Sequence, residues 1–418
     1  MSASDQRPYV QAIRSKGVLL LRALCVILAV AVGAVALSWV PARAEERSYF
    51  VIPAVATSKN DGVDVGVIVP YIFADDEGRV TQIIAPMYIH NEFVGSRATL
   101  NLFRYPFRGE SIKLIVSATE KVERKFQLDY QTLFLQGGRY SLEGNVGFFK
   151  NATARFFGLG NQTSQKNETN YTDRELLGHI TAGIYIGPGR RVTWTERLRN
   201  VALQVGAVPK IPFTQSVFPA IKGTGGATVW GHTVAFLDDT RDDTLTPTVG
   251  SYFAMFSELA QSLTADTNTV FSRYGFDYRI LLPNQTKKYT FAFRAKLNAT
   301  VGGAEIPFFE RSSLGGQTSL RGFGVGRFVD NHALVFSVEE RIQLFHVKVF
   351  GTVAEVEMAP FLDVGKVTDT FRYRAFSQYE ANPGIGFRAI ARPNVVGRVD
   401  VATGNEGRAV FAGLDFPF

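Results

Sequence analysis

Thr290-Phe291-Ala292-Phe293-Arg294-Ala295-Lys296-Leu297-Asn298-Ala299-Thr300-Val301 changes character at almost every step. Phe291, Phe293, Ala295, Leu297, Ala299 and Val301 fall on one side; Thr290, Ala292, Arg294, Lys296, Asn298 and Thr300 fall on the other. Successive side chains of a strand point to opposite faces, so this is a strand with one apolar and one polar face. The preceding stretch repeats the pattern, with Tyr274, Phe276, Tyr278 and Ile280 opposite Arg273, Gly275, Asp277 and Arg279. A soluble sandwich alternates in the same way. Whether the apolar face meets a dry core or lipid is decided by the rest of the chain.

Similar stretches, ended by turn residues, recur to residue 418 without a linker or low-complexity tract. Many run roughly ten to fourteen residues, beyond the five or six usual in soluble sheets. Tyr, Phe and Trp recur near their ends, where membrane barrels carry aromatic girdles. Charged residues are only 20% of the chain and hydrophobic residues 46%. Beyond residue 40 no apolar run reaches the ~18 residues of a membrane helix.

The N-terminus reads as an export signal. Arg7, Arg14, Lys16 and Arg22 precede an uncharged run from Ala23 to Val40, followed by Pro41 and Ala42-Arg43-Ala44. Residues 1–44 are expected to be a cleaved signal peptide, with an uncleaved inner-membrane anchor as the competing reading. The segment holds Cys25, the one cysteine, so the mature chain has no thiol or disulfide. Its five basic residues and one acid also account for four of the seven formal positive charges. No charge argument for a nucleic acid partner survives.

In lipid every backbone amide must be paired internally, so strands that cross must close into a ring. The expected fold is all-β, a single transmembrane antiparallel β-barrel in the outer membrane. Seventeen stretches qualify as strands, the first from residue 63 and the last spanning 409–418. Bacterial barrels normally have even numbers, so one stretch between 96 and 150 is discounted and sixteen strands are expected. Residues 45–61 then form a short periplasmic segment and 62–418 the barrel. Long loops are expected near 151–171, 207–226, 302–330 and 364–381.

The final stretch places Val410, Ala412, Leu414, Phe416 and Phe418 on one face, and Gly413-Leu414-Asp415-Phe416-Pro417-Phe418 resembles the C-terminal sorting strand of outer-membrane barrels. Pro417 has no amide hydrogen to donate, which predicts weak pairing between the last and first strands.

Gly315-Gly316-Gln317-Thr318-Ser319-Leu320-Arg321-Gly322-Phe323-Gly324 falls in a gap too long for a passive hairpin loop. It resembles the inward-folded sixth extracellular loop of the BamA/TamA surface-antigen superfamily, with its Arg-Gly-Phe tip. Phe361-Leu362-Asp363-Val364-Gly365 resembles that superfamily's Phe-x-Asp-x-Gly strand. Asp239-Thr240-Arg241-Asp242, followed by Pro247 and Gly250, resembles its Asp-Thr-Arg-Asp hairpin. Phe157-Gly158-Leu159-Gly160-Asn161 and Glu339-Glu340-Arg341 are weaker echoes. The resemblance covers about residues 62–418. It implies that Arg321 pairs with Asp363, with Glu339 as a second acceptor and Phe323 packed on the barrel wall. A guanidinium inside a barrel needs such partners. The competing reading is a solvated loop with a surface arginine.

Gly322, Gly324 and Gly326 do not make a phosphate cradle, because no lysine-serine pair or strand-to-helix transition follows. The five histidines (His90, His179, His232, His332, His346) lie in no catalytic or metal-binding motif. The protein is expected not to be an enzyme and to need no metal or cofactor. The resemblance implies an assembly or translocation factor that inserts proteins into the outer membrane or moves them across it. Expected partners are outer-membrane lipid, the assembly machinery that inserts this barrel, and client outer-membrane proteins or a periplasmic delivery partner. The family's assembly members carry periplasmic POTRA domains, whereas Glu45 to about Gly62 is too short for an independent core. The alternative is a passive or solute-selective channel, or a structural surface antigen.

Overall fold

A computed structural model describes residues 46–418, apart from 50, 78, 245, 350–351, 372–377, 392–394 and 414–415. The expected signal peptide, with Cys25, lies outside the described residues. The first strands are β1 (Glu46–Tyr49), β2 (Ile52–Ser58), β3 (Gly62–Ile68), β4 (Tyr71–Ala74), β5 (Val80–Asn91), β6 (Gly95–Arg104) and β7 (Glu110–Thr119). Then come β8 (Arg124–Leu135), β9 (Tyr140–Phe156), β10 (Thr169–Gly187), β11 (Arg190–Val205), β12 (Ala227–Asp239), β13 (Gly250–Ser262), β14 (Thr269–Pro283) and β15 (Tyr289–Val301). A short ribbon of β16 (Ser312–Leu314) and β17 (Phe328–Asp330) follows, then β18 (His332–Val349), β19 (Thr352–Thr368), β20 (Glu380–Ala391), β21 (Val395–Gly404) and β22 (Gly407–Gly413).

All but β16 and β17 join one 20-stranded antiparallel sheet curled into a nearly closed barrel. β1 and β2 pair with β4 and β3, and both β3 and β4 pair with β5, so each pair is one broken strand and the wall has eighteen rather than sixteen. Two expectations are corrected here. No stretch between 96 and 150 is superfluous, since β6 to β9 are each laddered on both sides. Residues 46–58, expected as a periplasmic segment, are wall strands. Among the described residues β2 is laddered only to β3, which leaves an open edge, and Pro53 lies on this edge strand, where proline is tolerated.

Alternation sorts the faces. Ile180, Trp194, Val234, Leu259, Val270, Tyr274, Phe291 and Leu362 are exposed on the outer surface. Glu258, Arg294, Glu339, Asp363, Arg388, Arg398 and Asp400 are buried in the lumen. Among the described residues no helix is long and apolar enough to cross a membrane. One end carries the long connections 157–168, 206–226 and 302–331, and the other has tight turns such as 136–139 and 188–189. Outer-membrane barrels keep their long loops outside and their short turns in the periplasm.

The ring is incomplete at one place. Among the described residues β22 ladders only to β21 and β2 only to β3, so the two lie side by side with no ladder between them. β22 also ends at Gly413, earlier than the expected 418. The seam therefore opens before Pro417 is reached. Leu414 lies outside the described residues.

Candidate functional site

The loop between β15 and β18 turns into the barrel and carries Arg321 to the wall. Arg321 is 1% exposed, which excludes the solvated-loop reading. Its Nε donates to Asp363 Oδ2 at 2.8 Å and its Nη2 to Asp363 Oδ1 at 3.0 Å, a two-pronged fork. Nη1 donates to Glu339 Oε2 at 3.0 Å, and the main-chain N–H of Arg321 also donates to Asp363 Oδ2, at 3.2 Å. The guanidinium carbon stands 3.3 Å from the centre of the Phe361 ring, a cation stacked on an aromatic face. Burial alone would lower the arginine's pKa; Asp363, Glu339 and Asp400 outweigh it and raise it, so the side chain stays charged.

The residues at the tip are packed in place. A β-carbon on Gly322 would run into the Asn382 side chain, so only glycine allows this approach. Phe323 is fully buried among Leu314, Leu320, Phe328, Ala333, Val335 and Val367, with its ring edge-on to Phe328 at 4.8 Å. Gly365 lets the loop come close as well, because a β-carbon there would sit 3.1 Å from Leu314 Cδ1.

Glu339 lies roughly 20 Å along β18 from His332 at the loop-bearing end. Its carboxylate is the hub of the site. Oε2 accepts from Arg388 Nη2 at 2.8 Å as well as from Arg321, while Oε1 accepts from Arg341 Nε at 3.0 Å. Asp400 completes the cluster, bonded to Arg398 and 3.8 Å from Arg321 Nη1. Four guanidinium groups thus share three carboxylates in a closed space. Arg388 Nε and Nη1 have no hydrogen-bond partner among the described residues. A buried polar network left partly unsatisfied is a point of low resistance to rearrangement.

Arg341 joins this cluster to the other end of the barrel. Its Nη1 donates to the Pro247 carbonyl at 3.3 Å, and its Nη2 to the main-chain oxygen of Phe418 at 3.2 Å. Pro247 belongs to the β12–β13 hairpin. There Arg241 forks onto Asp239 at 2.8 and 2.7 Å, and Asp242 accepts from the N–H groups of Thr248 and Val249. Phe416 lies 4.2 Å from the Arg341 guanidinium, so the tail from Phe416 to Phe418 turns inward. The expectation that Phe416 and Phe418 share one strand face with Val410 and Ala412 is corrected. The 157–161 segment touches both the loop and the wall, since Gly160 N–H donates to Val329 O at 2.8 Å and Asn161 Oδ1 accepts from the Val367 N–H of β19 at 3.0 Å.

The loop also spans the seam. Lys59, in the turn after β2, donates to Gly322 O and to Glu406 O, each at 3.1 Å. Asn60 donates to Val325 O at 2.8 Å, and Arg327 of the loop donates to Glu406 at 2.7 Å. Glu406 lies in the turn between β21 and β22, so one loop holds both sides of the open joint.

A second anchor lies at the root of the loop. Glu310, 1% exposed, bonds Arg197 and Arg199 from β11 and faces Arg273 of β14 at 3.3 Å. Burial would raise its pKa, but these three arginines reverse that and hold it down at about 2. Sequence reading did not find Glu310, Arg388, Arg398, Asp400, Lys59 or Glu406, and met Arg341 only as the end of the Glu339-Glu340-Arg341 echo. Among the described residues no group of three His, Cys, Asp or Glu could hold a metal.

The motif resemblance is matched by independent comparison. Residues 108–390 match the profile of the Omp85 superfamily domain. Among solved structures, BamA from Haemophilus ducreyi lacking POTRA domains 1–3 aligns with a TM-score of 0.56 at 16% identity, covering 88% of this chain and 75% of that one. CdiB from Acinetobacter baumannii aligns with a TM-score of 0.45 at 10% identity, over 90% of this chain and 66% of that one. At 16% identity the likeness to the BamA structure is one of fold. No curated protein sequence matches the chain.

Proposed function

The chain belongs to the Omp85 superfamily, whose barrels are outer-membrane proteins, and from that premise we propose that it is a non-enzymatic factor that inserts polypeptides into the outer membrane or passes them across it. The observation that carries this reading is the joint between β2 and β22: two neighbouring strands with no ladder, held by a loop that is itself pinned in the lumen. An unpaired edge presents free N–H and C=O groups, a template on which an incoming strand can add. In this mechanism release of Lys59 and Arg327 from Glu406 frees the edge. Arg321 on Asp363 keeps the loop from leaving the lumen meanwhile. The tail from Phe416 to Phe418, held by Arg341 and not by a strand partner, gives β22 room to move.

The second reading, a solute channel or structural surface antigen, rests on the lumen. A cavity of about 390 Å³ remains between the loop and the wall near Arg273, Lys296 and Glu310. Depletion of the protein followed by outer-membrane proteomics separates the two. Loss of other barrel proteins is expected; unchanged barrel content with altered solute permeability would support the channel. A cleaved export signal at Ala44 and a periplasmic partner for client delivery belong to the proposal.

A further inference from the structure

Arg124 on β8 is directly opposite Lys150 on β9, and Lys150 is directly opposite Arg174 on β10. Three cations therefore sit side by side across three strands. Their parity puts them on the outer surface: Arg124 is opposite Ala118, on the face of the exposed Val116, and Arg174 shares the face of the exposed Ile180. The acidic side chains nearby are engaged in the lumen, Glu123 with Arg97 and Glu175 with Arg199. Arg124 donates only to main-chain oxygens, of Thr119 and Glu123, and among the described residues none of the three cations has a carboxylate partner. Like charges directly opposite in a sheet repel. Nothing among the described residues relieves this row.

The position of the row says what could. Arg124 begins β8, so the row lies at the end with the long loops. One step toward the middle of the barrel, the same face carries Phe126, Phe148 and Leu176, again directly opposite one another. The row thus marks the level where the apolar band meets the head groups.

We propose that Arg124, Lys150 and Arg174 form a binding site for the phosphate-bearing head group of an outer-leaflet lipid, whose acyl chains lie on Phe126, Phe148 and Leu176. Two arginines flanking a lysine suit a phosphate monoester, with forked donors on both sides of a point charge. The apolar row below supplies the hold that a free phosphate lacks. The site depends only on the barrel's placement in the membrane, not on its role in assembly.

The test is thermal stabilisation of the full-length purified barrel in neutral detergent, read by its shift between folded and unfolded gel mobility. The probes are diphosphoryl lipid A, the same lipid dephosphorylated, phosphatidylcholine and inorganic pyrophosphate. Stabilisation by the first alone is expected. Arg124→Gln, Lys150→Gln and Arg174→Gln together should weaken the apparent affinity by on the order of a hundredfold, since each cation near a charged lipid surface contributes a factor of about five. The charge-keeping swap Arg124→Lys with Lys150→Arg should retain most of the response. An equal response to the dephosphorylated lipid, or to pyrophosphate, overturns the proposal, as does an undiminished response in the triple variant. The comparison between lipids on the unsubstituted protein stands even if the triple variant does not fold.

Discussion

Arg341 donates to the main-chain oxygen of Phe418 at 3.2 Å while its guanidinium faces the Phe416 ring, so the residues read as a sorting strand are held from inside the barrel. The same side chain bonds Glu339 and the Pro247 carbonyl. Replacing it by Gln should loosen the tail and leave Glu339 with one donor fewer. A buried charge-assisted hydrogen bond is worth roughly 1.5–3 kcal/mol. Limited proteolysis should cut the tail of Arg341→Gln before the barrel, whereas equal resistance in both proteins would show that the tail is held by something else.

Arg321 and Asp363 should behave as one unit. Removing one partner of a buried pair costs roughly 3–5 kcal/mol, because the other charge stays behind. In a double-mutant cycle, Arg321→Ala and Asp363→Ala should each lower the unfolding temperature of the barrel strongly, and the double variant by much less than their sum. Full charge reversal should rescue only in part, since Glu339 and Asp400 would then face an aspartate at 321. Additive effects of the two alanine variants would mean that the fork contributes nothing to the fold.

Glu310 makes the loop's anchorage sensitive to acid. Its carboxyl is held at about 2, below the ordinary 4.5, so its stabilising effect is complete above about 4.5 and is lost as pH falls toward 2. Glu310→Gln should be less stable than the parent at neutral pH and lose less on acidification through that window. Parallel stability curves for the two proteins would contradict this.

Outside the barrel, Glu196 accepts from the indole N–H groups of Trp194 and Trp230 at 2.8 and 3.0 Å, and pairs with His232 Nδ1 at 2.9 Å. These are the two tryptophans of the described residues. Glu196→Leu should shift the tryptophan emission maximum and its quenching by brominated lipid. An unchanged spectrum would show that the carboxylate does not hold the rings.

What the sequence revealed follows from how far each signal reaches. Period-two alternation is local, so the faces of β14 and β15 were legible residue by residue. Arg321, Asp363 and Glu339 were found by motif resemblance, and the structure brings them together. Arg388, Arg398 and Asp400 carry no motif. Yet Arg388 and Arg398 are directly opposite on inward faces, and two such cations on one hairpin signal that a carboxylate must be near. The first strand was missed because β2 is short, holds Pro53 and is laddered on one side only. The inward turn of the tail could not be read because Phe416 and Phe418 keep the parity of Val410 and Ala412. Only the tertiary pull of Arg341 breaks that pattern.

The most direct test of the open joint is to close it. One cysteine on β2 and one on β22, at matched depth, can be oxidised to a disulfide in a background without Cys25. Assembly of newly made barrel proteins is then followed with and without reductant. The cross-linked protein should fold normally but stop supporting insertion, and reductant should restore it. Undiminished insertion by fully cross-linked protein would mean that the joint between β2 and β22 does not open in use.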